Sequence, residues 1–138
     1  MIAALVGVAV GVLTIVTARL IRGQHWLYSI GLLTLPSLYA FWALRAGEQA
    51  VGVNEMIYGI PFYVAGLVFA FVSVRQSAVV VGAFWILHGL YDGVHGRLIA
   101  NPGVPGWYPA FCCLVDLVIG AYVLWLSRRI SDANLREA

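Results

Sequence analysis

The chain has 138 residues, 62% of them hydrophobic and only 10% charged, with a mean hydropathy of +0.92, whereas about a quarter of the residues of a soluble domain are charged. Its formal charge of +2, with arginine as every basic residue, excludes the dense positive field of a nucleic-acid binder, and no polar stretch is long enough to form a soluble domain. The expected fold class is therefore all-α, an integral membrane helical bundle whose first partner is the lipid bilayer.

A helical crossing takes about 20 mostly apolar residues, and the charges divide the chain into five such spans within a single domain, 1–138. The first, 2–20, opens with MIAALVGVAVG, which lacks the basic segment and small-residue cleavage pattern of a secretory leader, so it reads as a retained helix. Its Ala4, Gly7, Gly11 and Ala18 make a packing stripe. RGQH around Arg22 leads to the second span, 26–44, and RAGEQAVG from Arg45 to the third, 54–74, where Glu55, Gly59, Phe62 and Gly66 share a face. Gly59 and Pro61 interrupt that span, which leaves four crossings plus a broken or re-entrant third as the alternative. RQS from Arg75 precedes the fourth span, 78–99. The NPGVPG turn from Asn101 precedes the fifth, 108–127, and a polar tail, 128–138, is expected as a short surface helix or a disordered end.

Five crossings place the two ends on opposite sides. Cytoplasmic flanks carry the excess of arginine, which puts Arg19, Arg22, Arg75, Arg128, Arg129 and Arg136 inside and Arg45 and Arg97 outside. The N-terminus is then external and the C-terminus cytoplasmic. Trp26, Tyr28, Trp42, Trp107, Tyr108 and Trp125 fall near the predicted interfaces, as anchoring belts do. Cys112 and Cys113 are neighbours, which makes a disulfide between them strained and packing their expected role.

The informative stretch is LHGLYDGVHGR, residues 87–97. At about 100° per residue, His88, Asp92 and His95 fall in one narrow sector of the fourth helix. Gly82, Gly89, Gly93 and Gly96 run beside them, and Gly89 with Gly93 forms a small-xxx-small surface for close helix approach. The polar stripe is thus expected to face protein. On the fifth helix Asp116 shares a face with Cys112, Cys113 and Gly120, so it should point inward as well. Counting depth at about 1.5 Å per residue places Asp92, Asp116, His95 and Glu55 in the outer half and His88 near the midplane, as one column opening to the outside.

Two chemistries fit these residue types. His88 with Asp92, or Asp92 with His95, has the i, i+4 or i, i+3 spacing that lets two side chains share a metal such as zinc or another divalent ion. His88 and His95 are about 10.5 Å apart along the axis, so one ion held by all three is awkward, and Asp116 is the natural further ligand. Without a metal, a carboxyl–imidazole pair such as Asp92/His88 or Asp116/His88 suits proton transfer near neutral pH, with Tyr91, Tyr58 and Tyr63 as additional donors. Haem is not expected, because the two histidines of one helix cannot be trans ligands and His25 lies at the other interface.

DGVHGR, Asp92 to Arg97, resembles a fragment of the DGxxAR motif of CDP-alcohol phosphatidyltransferases. The acidic partners of that motif are missing, since positions 89 and 120 are Gly, so that activity is not expected. The mixed His/Asp set is also similar, at the level of the site alone, to the zinc centre of the adiponectin-receptor and alkaline-ceramidase hydrolases, which have seven helices. WILHGLYDGVHG and WYPAFCCLVDL together resemble one of the small bacterial integral membrane families of unknown function, which implies a bacterial inner membrane and carries no activity.

The expected function is that of a membrane-embedded enzyme doing acid/base or metal-assisted chemistry on a small lipophilic molecule, a lipid, isoprenoid or sterol-like compound. Asp92 is the central acid or ligand, His88 its partner and Asp116 the second carboxylate. Glu55 and His95 guard the entrance, with Tyr91 and Tyr58 facing the substrate, and His88, Asp92, His95 and Asp116 form the candidate metal set. The alternative is a proton-linked or metal-ion transporter acting as a homo-oligomer, or a membrane binding or assembly subunit.

Overall fold

The computed structural model describes the backbone of residues 1–72 and 74–137, with side chains except at positions 25, 74–76 and 130–137. The side chains of His25, Arg75 and Arg136, and of most of the expected polar tail, therefore lie outside the described residues. Among the described residues the structure is helical throughout, with α1 (Ile2–Leu20), α2 (Gln24–Arg45), α3 (Gln49–Ala70), α4 (Val74–Leu98) and α5 (Tyr108–Glu137). Each helix contains a stretch long and apolar enough to cross a membrane.

Boundaries depart from expectation where polar residues were taken for loop. The third helix begins at Gln49, five residues early, because Gln49 to Val53 continue the helix instead of belonging to the turn. It also runs unbroken through Gly59 and Pro61, so the re-entrant alternative does not arise. Proline removes one backbone donor from a helix, and transmembrane helices tolerate this where neighbours pack around the site. Here Pro36 of α2 and Gly59 of α3 face each other, with no room for a side chain at position 59. The backbone of the predicted tail continues α5 as far as Glu137.

The turns between the first helices follow from their hydrogen bonds. After α2, the Gly47 N–H donates to the Leu44 carbonyl and the Glu48 N–H to the Ala43 carbonyl, with Gly47 at φ +84°. This is the Schellman arrangement, whose left-handed residue is least strained as glycine. The chain reverses within three residues, which places α3 against α2 along their length.

Burial is inverted relative to a soluble bundle. Large apolar side chains such as Leu5, Leu13, Phe41, Leu67, Leu87 and Leu90 are exposed, while Glu55, His88, Asp92, His95 and Asp116 are buried. The fold consists of two tight hairpins, α2/α3 and α4/α5, with α4 also meeting α2 and α3, and α1 packed on the far side of α5. Small residues set the spacing, as expected where lipid supplies no hydrophobic drive between helices: Gly7 and Gly11 of α1 meet α5, and Gly82 and Gly89 of α4 meet Leu124 and Asp116. Gly93 and Gly96 do not share that role. A Cβ at Gly93 would touch only Cys113 Sγ at 3.8 Å, and one at Gly96 nothing within 4 Å, so the close-approach surface is Gly82/Gly89 and not Gly89/Gly93.

Candidate functional site

A carboxylate at the bilayer centre costs about 2.5–3.5 kcal/mol even on insertion scales. Three of the six acidic residues of the chain, Glu55, Asp92 and Asp116, are nevertheless buried in the helical spans, at 2%, 1% and 0% exposure. Helical phase accounts for their direction, since each lies on the packed face of its helix. They divide into two groups on successive turns of α4 instead of forming the single expected column.

The first group joins α4 to α5. His88 Nδ1 is 2.7 Å from Asp116 Oδ2 and 3.6 Å from Asp92 Oδ2, the second too long for a hydrogen bond. One donor atom from each of the three lies within 4.8 Å of the others. His88 Nε2, both oxygens of Asp92 and Asp116 Oδ1 are buried without a hydrogen-bond partner. Buried polar atoms are nearly always paired, and leaving one unpaired costs about 1–3 kcal/mol, more for a charged group. The Tyr39 hydroxyl lies beside Asp92 and is buried without a hydrogen-bond partner too.

The second group joins α3, α4 and the loop after α4. Glu55 Oε1 accepts from His95 Nε2 at 2.8 Å and from Asn101 Nδ2 at 2.8 Å, and Glu55 Oε2 accepts from the Tyr91 hydroxyl at 3.2 Å. Asn101 also donates to the Tyr39 carbonyl of α2 at 3.1 Å and accepts from the Gly103 N–H at 3.2 Å. Tyr39 stacks on His95 with centroids 3.9 Å apart and meets Tyr91 edge-on. Tyr39 and Tyr91 therefore form the aromatic wall between the two groups.

A cavity of about 680 Å³ opens where α3 starts and α4 ends, lined by Glu48, His95, Asn101, Pro105 and Pro109 among others. His95 forms part of its lining, and Glu55 lies behind His95. On the flank of the bundle, a groove of about 380 Å³ runs between α3 and α4 along Pro61, Val64, Ala65, Val68, Phe69 and Phe84. Phe84 meets Phe62 edge-on at 5.8 Å, and Phe62 meets His88 edge-on at 4.7 Å. An aromatic pair thus connects the groove to the His88 group.

The structure brings His88, Asp92 and Asp116 together and sets His95 apart from them. Because His95 is bound to Glu55, the four-residue metal set reduces to three. Tyr91 belongs to the Glu55 group. Tyr58 is 59% exposed on the outside of α3, and Tyr63 bonds Ser37 at the bundle surface, so neither faces the buried groups. Tyr39 and Asn101 were not expected at the site. Tyrosine in an apolar span reads as core or belt, and asparagine before Pro-Gly reads as a turn former. No family model, curated protein or solved structure matches the chain.

Proposed function

We propose that the protein is a membrane-embedded enzyme acting on a small lipophilic substrate, with His88, Asp92 and Asp116 as its reaction centre. The observation that carries this reading is the grouping of these three buried residues, one donor atom from each within 4.8 Å of the others, with four of their polar atoms left without a hydrogen-bond partner. Ionisable groups at membrane depth mark functional sites by default, and two carboxylates with an imidazole are the groups that move protons or fix a cation at a reacting oxygen. The groove between α3 and α4 supports the lipophilic substrate class. An acyl or isoprenoid chain lying along Val64, Val68 and Phe84 would bring its polar end past Phe62 to His88. On the arginine distribution the cavity faces the external side, and polar products leave past His95.

The test uses purified protein in nanodiscs loaded with a mixed lipid extract supplemented with isoprenoids and sterols, followed by untargeted lipid mass spectrometry. At least one lipid species should change with the wild type and remain unchanged with Asp92→Asn or His88→Gln. A folded wild type that alters no lipid class would overturn the reading.

A further inference from the structure

Two imidazoles face three carboxylates inside the spans. His95 is engaged by Glu55, and His88 by one oxygen of Asp116. What is left over is Asp92, 1% exposed, with both oxygens bare, together with Asp116 Oδ1 and His88 Nε2. Even with both histidines protonated, three carboxylates leave one negative charge uncompensated among the described residues of this interior, where an unpaired charge is most costly. A single added proton would settle that charge but can join at most two of the three bare oxygens.

We infer that His88, Asp92 and Asp116 hold a divalent transition-metal ion of the zinc class, one donor atom from each. Two carboxylates cancel the 2+ charge with the imidazole neutral, so the loaded site is formally uncharged. One nitrogen and two carboxylate oxygens are a donor set that such ions accept, and three protein ligands leave a coordination position open for a substrate atom. Bonds of about 2.0–2.2 Å around a tetrahedral ion place ligand atoms roughly 3.3–3.6 Å apart, which the 3.6 Å from His88 Nδ1 to Asp92 Oδ2 matches. The 2.7 Å His88–Asp116 contact is shorter, with a proton between the two atoms, and opens by less than about 1 Å when an ion replaces that proton.

The neighbouring structure suits such a site. His88 and Asp92 are one turn apart on α4, and Asp116 arrives from α5 across Gly89, where an added Cβ would lie 3.1 Å from Asp116 Cβ. The Tyr39 hydroxyl, buried beside Asp92 without a hydrogen-bond partner, is the candidate for the second contact that metal-bound carboxylates usually have. This inference rests on the reading of the cluster as the reaction centre and names the agent that works there.

The experiment strips the detergent-purified protein with a chelator and titrates it with Zn²⁺, then separately with Mn²⁺ and Fe²⁺ under anaerobic conditions. Metal content is read by mass spectrometry and affinity by calorimetry. About one ion per protomer is expected, with Asp92→Asn and Asp116→Asn each weakening binding on the order of 100-fold or more. Glu55→Gln, in the adjacent group, should keep both stoichiometry and affinity. Each variant is checked for a single gel-filtration peak and wild-type helical circular dichroism. A folded wild type that retains only trace metal in all three titrations sinks the inference, as does an Asp92→Asn variant that binds as tightly as wild type. Lipid conversion that persists in chelator-stripped protein would defeat the metal and leave the enzyme reading intact. Stoichiometric metal with no lipid conversion would do the reverse.

Discussion

His88 and Asp116, 28 residues apart in sequence, meet at 2.7 Å between α4 and α5, while Asp92, one turn from His88 on the same helix, stays at 3.6 Å. The shorter contact takes one oxygen of Asp116 and leaves Asp92, the carboxylate nearer in sequence, without a hydrogen bond. A double-mutant cycle with His88→Gln and Asp116→Asn should give a coupling energy of about 1–3 kcal/mol, the upper part of the range for contacting residues. The same cycle on His88 and Asp92 in metal-free protein should give less than about 1 kcal/mol. Unfolding in mixed micelles, followed by circular dichroism, measures both.

Asp92→Asn should stabilise the metal-stripped protein by about 1–3 kcal/mol, because Asp92 and Asp116 share the one imidazole of His88 and the substitution removes the surplus charge. The variant should at the same time lose lipid conversion. Stability gained as function is lost is the usual signature of a site built against the fold. A metal-free Asp92→Asn protein that melts earlier than wild type would show that Asp92 has a partner in the apo state.

Tyr39 separates ring from hydroxyl. Tyr39→Phe keeps the stack on His95 and removes an oxygen that bonds nothing in the structure, so its melting temperature should stay close to wild type. Tyr39→Ala empties a fully buried site and should cost about 3–5 kcal/mol. If the hydroxyl supports a ligated Asp92, the Phe variant should also weaken metal binding about 10–100-fold, a loss that calorimetry would show without any change in folding.

Glycines of the same helix should respond in opposite ways. Gly89→Ala forces a methyl against Asp116 Cβ and the Cys113 carbonyl, both 3.1 Å from the new atom, and overpacking of this kind costs about 1–3 kcal/mol. Gly96→Ala meets nothing within 4 Å and should be neutral or stabilise by up to about 1 kcal/mol, through reduced freedom of the unfolded chain. Paired thermal melts in one detergent decide the contrast.

The helices and the inward direction of the polar residues were legible in the sequence for a simple reason. Within an apolar span an ionisable residue stands out, and helical phase alone directs His88, Asp92, Asp116 and Glu55 to packed faces. Depth was less informative. It placed His95 and Glu55 at an entrance in one column with Asp92, whereas lateral packing decides partners: α3 delivers Glu55 to His95, and α5 delivers Asp116 to His88. Phase and depth carry no information about which helices are neighbours. The early start of α3 was hidden because Gln49 and Gly52 suit a turn as much as a helix. Asn101 was hidden because its role depends on a loop folding back over α2, where Gly103 lies against the Trp42 carbonyl.

That asparagine ties the loop above the cavity to the buried acid beneath it. One amide group of Asn101 holds Gly103 in the loop, the backbone of Tyr39, and Glu55. Any occupant of the cavity that drew the loop outward would strip Glu55 of a donor and leave His95 and Tyr91 to hold it. The loop at the mouth of the bundle and the buried carboxylate of its interior are thus mechanically joined through the Asn101 side chain, so Asn101→Ala should loosen both together. The expected readings are faster hydrogen exchange at the Gly103 amide and a stability loss of about 1–3 kcal/mol.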